Sequence, residues 1–128
     1  MIRFVMLLAV LNACQGDETL TAYGAADTIW AVTEIDEQAF AASATISFPE
    51  PGKIRGQGPC NQYSATQTVP YPWFKAEAIV STRRSCENLA AENTYLRALA
   101  AMTLSEVSGD SMILSNEDGA TIVFEAVR

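Results

Sequence analysis

The sequence predicts a mainly β (α+β) fold, a curled antiparallel sheet or partly open barrel of seven to nine short strands with one packed helix. Three observations predict it. Short runs rich in β-branched and aromatic residues recur from Thr28 onward, clusters of Gly, Pro, Asn and Asp separate them, and the period changes once, to that of a helix, near Asn88. With 128 residues, the chain fits one domain that hides roughly two-thirds of its unfolded surface.

The first strand is expected at Thr28 to Ile35, with Trp30, Val32 and Ile35 available for a core face. Ala44 to Phe48 alternates, Pro49 to Gly52 supplies a turn, and Lys53 to Gly58 returns as the second arm of a hairpin. Tyr63 to Val69 alternates again until Pro70 to Pro72 breaks it, and Trp73 to Thr82 reads as a strand. From Asn88 to about Met102 the alanine-rich run places Leu89, Leu96 and Leu99 near one helical face, with Ser85 or Asn88 to cap its start. Thr103 to Val107, Ser111 to Ser115 and Ala120 to Val127 are short strands joined by the turns Ser108 to Asp110 and Asn116 to Gly119.

The first fourteen residues have a different character. Arg3 precedes an apolar run from Phe4 to Leu11, which is too short to span a bilayer and has the form of an export signal over residues 1–13. Leu11-Asn12-Ala13-Cys14 resembles the lipobox of bacterial lipoproteins, with Asn12 departing from the usual small residue. The resemblance implies acylation of Cys14 and a membrane partner through that lipid anchor. Two or more acyl chains are needed for stable anchoring, since one alone is marginal. Residues 14–27 are expected as a lipidated terminus and flexible tether, and residues 28–128 as the domain. Gln15, where an Asp would favour retention at the inner membrane, favours the outer membrane, with the domain facing the periplasm.

The charge balance narrows the partners. Eight basic against fifteen acidic residues give −7, and the basic residues form no stripe, so nucleic acid is excluded as a partner. There is no histidine, and no cysteine pair stands at metal-ligand spacing, so no metal or cofactor is expected. Catalysis would have to run without histidine, and neither a G-x-S-x-G nor an S-x-x-K pattern is present, so no enzyme is expected. The acids Glu34, Asp36 and Glu37, and those of Glu117 to Gly119, read as solvated turns. With Cys14 set aside, Cys60 and Cys86 are an even pair in an exported chain, for which a disulfide is the default and two free buried thiols the alternative. Closing that loop stabilises by about 3 kcal/mol in the chain-entropy model.

Three segments together resemble the META domain, the HslJ-like family of small bacterial envelope proteins: Ile54 to Ala65, Ile79 to Leu99, and Ser111 to Glu125. Its G-C-N-x-Y-x-G segment is matched at Cys60, Asn61 and Tyr63, with Pro59 and Ala65 replacing the flanking glycines. Its T-R-x-x-C segment is matched at Thr82, Arg83 and Cys86, and its E-x-x-[FYW]-L-x-A-L helix at Glu92, Tyr95, Leu96, Ala98 and Leu99. The resemblance implies a curled sheet with a packed helix and an envelope location. Some members respond to heat shock or are associated with antibiotic tolerance, without an established molecular activity.

Two readings of the Cys60 corner follow. Structurally, Gly56 and Gly58 let the backbone bend or approach closely, Asn61 bonds a turn, Tyr63 buries its ring, and Arg83 forms an ion pair with Glu87 or Glu92. Functionally, Asn61, Tyr63, Arg83 and Arg84 form a polar rim for an unknown small ligand or envelope protein. Trp30, Trp73 and Phe74 are expected in the core in preference to a ligand cavity. The expected function is thus a non-catalytic, lipid-anchored envelope module, with a purely structural or assembly role as the alternative.

Overall fold

The computed structural model describes residues 18–127; the expected export signal over residues 1–13, Cys14 and Arg128 lie outside them. The strands are β1 (Ile29–Ile35), β2 (Gln38–Ala39), β3 (Thr45–Ser47), β4 (Lys53–Gln57), β5 (Gln62–Thr66), β6 (Glu77–Ser81), β7 (Leu104–Ser108), β8 (Ser111–Ser115) and β9 (Thr121–Ala126). One α-helix, α1 (Leu89–Ala101), lies between β6 and β7. The sheet is antiparallel throughout, in the order β6-β5-β4-β3-β1-β9-β8-β7, with β2 a short partner of β1. It curls into a half-barrel, as the strand pattern predicts.

Alternation decides what fills it. Ile46, Ile54, Tyr63, Ala65, Met112, Leu114, Ile122 and Phe124 point inward with Trp30 and Val32. Ile35 also faces the core although it is an odd number of positions from Val32, because a bulge shifts the β1–β9 register between Val32 and Glu34. The helix lays Tyr95 and Leu99 against this face, and the Tyr95 ring meets Phe124 edge-on with centroids 6.5 Å apart. Trp30 and Phe74 are core residues, as expected, whereas Trp73 is 56% exposed.

Four local differences from the sequence reading have physical causes. Residues 18–27, expected as part of the tether, are packed: a 3-10 helix spans Leu20–Tyr23, Leu20 and Ala25 are fully buried, and Trp30 Nε1 donates to Ala25 O. Tyr23 stacks on Tyr71 at 4.8 Å, and Tyr71 N donates to Glu18 O. Asp36 and Glu37, expected in a plain solvated loop, have φ of 52° and 69° and form the two-residue turn of a β1–β2 hairpin. Asp36 Oδ1 also accepts from Thr121 N at 3.0 Å.

The expected strand from Trp73 to Thr82 is divided. Only Glu77–Ser81 joins β5, while Trp73 bridges to Leu104 and Phe74 N donates to Thr103 O on the far side of the sheet. The helix starts beside Asn88, but no side chain caps it; Leu89 N donates instead to Cys86 O.

Gly56 sits directly across β4–β5 from Tyr63. Its φ is not positive, so the glycine serves space: a Cβ there would collide with Thr45 O and the hydroxyl end of the Tyr63 ring. Gly56→Ala is therefore expected to cost about 2 kcal/mol or more, read as a lowered urea midpoint at unchanged m-value.

Candidate functional site

The Cys60 corner is built around a carboxylate. The four residues Gly58 to Asn61 connect β4 to β5, closed by Gly58 N donating to Asn61 O at 2.7 Å. The helix brings Glu92 onto this loop. Glu92 Oε1 accepts from Cys60 N at 2.9 Å and Asn61 N at 2.8 Å, and Oε2 accepts from Asn61 Nδ2 at 2.6 Å. Gly58 makes room for it, since a Cβ there would lie 2.6 Å from Glu92 Oε1.

Every partner of Glu92 in this arrangement is an N–H donor, so the carboxylate form is the one that fits. Glu92 is only 3% exposed. Burial works to raise its pKa, but the bonds from the Asn61 side chain and the Cys60 and Asn61 amides prevail and hold it below the usual carboxylate range.

Asn61 relays the link to the segment after β6. Its Oδ1 accepts from Arg84 N at 2.6 Å and Thr82 Oγ1 at 2.9 Å, and its Nδ2 also donates to Arg84 O at 3.0 Å. The disulfide joins Cys60 to Cys86 with Cα atoms 5.7 Å apart, so the same two segments are also bonded covalently, one residue before Asn61 and two after Arg84. One Asn, one Glu and one disulfide thus tie the β4–β5 turn, the end of β6 and the helix together.

Tyr63 forms a second buried knot. Its hydroxyl donates to Thr45 O at 2.7 Å, which leaves the Tyr95 hydroxyl to donate to the Tyr63 oxygen. Burial pushes Tyr63 well above the ordinary phenol range, against a smaller opposing effect of its Tyr95 bond. Burial chiefly raises Tyr95 as well, with further contributions from Tyr63. Both phenols therefore stay neutral and are structural.

The four residues expected at a rim separate into two kinds. Asn61 and Tyr63 are buried, with their polar atoms committed to the bonds above. Arg83 and Arg84 are exposed beside an open hollow of about 310 Å³ whose lining also includes Asn61 and Glu92, so three of the four expected rim residues border one space. The expected ion pair from Arg83 to Glu87 or Glu92 is not formed: Glu92 is occupied by amides, and the single ion pair among the described residues joins Lys75 to Glu77 at 3.4 Å. The helix motif pointed to Glu92 and Tyr95 as a pattern, and their i, i+3 spacing puts them on one face; their bonding to Asn61 and Tyr63 had no signal of its own. No group of three or more His, Cys, Asp or Glu side chains among the described residues is placed to hold a metal ion.

Residues 18–128 match the family model described as the META domain. A protein from Burkholderia xenovorans, solved by NMR, has a TM-score of 0.69 at 19% identity, covering 84% of this chain and 86% of that one. A crystal structure of a DUF4847 family protein from Bacteroides vulgatus has a TM-score of 0.64 at 12% identity, covering 82% of this chain and 96% of that one. At these identities the likeness is one of fold. A comparison with curated proteins finds no match.

Glu92→Gln turns an amide donor toward donors and is expected to cost about 2 kcal/mol near neutral pH. Because folding lowers the Glu92 pKa, its contribution is complete above the unfolded value of about 4.3 and disappears as pH falls through the lower folded value. Urea titrations at a series of pH values should thus show the difference between wild type and Glu92→Gln shrinking below about pH 4.

Proposed function

This chain belongs to the META domain family, of uncharacterised function, and from that premise we propose that it is a non-catalytic envelope module that docks a protein partner on its outer surface. The observation that carries this reading is the filled interior. Trp30, Phe48, Phe74, Tyr95 and Phe124 occupy the space that a ligand-binding barrel would leave open. No buried side-chain polar atom among the described residues lacks a hydrogen-bond partner. The groups that a site would use for chemistry, Glu92, Tyr63 and Tyr95, are engaged in holding the fold. What remains free is on the surface, and a role in envelope stress or antibiotic tolerance would act through contacts made there.

In this proposal Cys14 is acylated after removal of residues 1–13, and the module faces the periplasm, at the outer membrane in preference to the inner. The sequence Leu11 to Cys14 supports the anchor. Glu18, whose carbonyl accepts from Tyr71 N, stands four residue steps after Cys14. Four residue steps reach at most about 14 Å, so the module would work close to the bilayer surface.

Two measurements on one variant test this. Cys14→Ser, exported to an oxidising periplasm, should appear in the soluble fraction while the wild type stays with membranes; unchanged fractionation contradicts the anchor. In native mass spectrometry the same variant should carry no small molecule, and a retained organic ligand would contradict the protein-docking reading in favour of a small-ligand one.

A further inference from the structure

The two edges of the sheet are treated differently. Edge β7 is covered by residues 71–74: Ser105 N donates to Pro72 O at 2.8 Å, Phe74 N to Thr103 O at 2.9 Å, and Val107 N to Tyr71 Oη at 3.2 Å. Among the described residues, edge β6 pairs only with β5. Thr82 N donates to Gln62 O, and Ser64 opposes Val80, so Val80 and Thr82 turn their backbone groups toward β5 and Ser81 between them turns its own outward.

Open edges are ordinarily blunted by charge, proline or a bulge. Here a bulge with Ala78 at φ 54° interrupts the start of β6, and the stretch Ile79-Val80-Ser81 beyond it carries neither charge nor proline. Val80 is 61% exposed.

Charge is distributed in the same sense. Of the eight basic residues, all but Arg3 and Arg128 lie between Lys53 and Arg97. Lys53 and Arg55 on β4 are the strand residues that are basic, Arg83 and Arg84 follow β6 after Thr82, and β6 itself carries one charge, Glu77, which pairs with Lys75 at 3.4 Å. The guanidiniums of Arg83 and Arg84 make no ion pair among the described residues. An acidic protein thus presents its basic side around its open edge.

We propose that β6 receives an extended acidic segment of a partner protein by strand addition, with backbone bonds at Ser81 and carboxylates on Arg83 and Arg84. This deepens the reading of the domain as a protein-docking module and rests on it. Backbone pairing supplies attachment, and the arginines select acidic over basic segments.

The test uses an acetylated, amidated peptide, Asp-Thr-Val-Thr-Val-Thr-Asp, titrated into the isotopically labelled Cys14→Ser protein, with a control in which both Asp are Lys. The acidic peptide should shift the Ser81 amide and slow its hydrogen exchange, and should bind about tenfold more tightly than the control. Ser81→Pro, which removes the outward N–H but keeps the Val80 and Thr82 pairing, should abolish binding. Arg83→Glu/Arg84→Glu should reverse the peptide preference. Lack of protection at Ser81, or equal binding of both peptides, overturns the proposal. Those results leave the docking reading standing, since that reading falls on a retained small molecule and not on this edge.

Discussion

Glu92 holds a buried negative charge that makes no ion pair among the described residues, and the order of the Cys60 corner depends on how that charge is satisfied. A buried, unpaired carboxylate is costly unless N–H groups replace its water. Two backbone amides and one carboxamide do so here, all from Cys60 and Asn61. The requirement acts in both directions: the loop must present its amides inward for Glu92 to be buried, and the helix must dock in one register for those amides to find an acceptor. The disulfide then closes the same junction covalently. Gly56 and Gly58 follow from this arrangement, since each leaves space that Tyr63 or Glu92 occupies.

The same packing underlies the proposed docking role. The helix and aromatic side chains pack into the interior of the half-barrel, and among the described residues every buried side-chain polar atom has a hydrogen-bond partner. The surface, by contrast, is uneven. One edge of the sheet is covered and the other is open, and basic residues gather near the open one on a chain of net charge −7. Rigid corner and open edge are adjacent, because Arg84 contributes its backbone to Asn61 and its side chain to the exposed side.

Strands whose inward positions alternate cleanly, such as β8 with Met112 and Leu114 and β9 with Ile122 and Phe124, were legible from pattern alone. The META motifs led to the Cys60 corner and to the helix that meets it. Other features left no such signal. The Asp36-Glu37 turn lacks the Asn-Gly or Asp-Gly pair that marks a two-residue hairpin, so β2 was invisible. Residues 18–27 are mostly small or polar and show no strand or helix period, and only tertiary packing of Leu20 and Ala25 distinguishes them from a linker. The segment at Trp73 has strand composition, yet its partner is the opposite edge, which local sequence does not specify. A helix glutamate ordinarily faces water, so the burial of Glu92 is a property of the assembled loop.

The dependence of helix docking on the loop is measured most directly by a double-mutant cycle between Asn61→Ala and Glu92→Ala, with unfolding free energies from urea at neutral pH. The account predicts a coupling of about 1.5–3 kcal/mol, the range for hydrogen bonds to a charged group. Additivity within about 0.5 kcal/mol would mean that the two residues act independently, and would contradict the claim that this one link sets the corner.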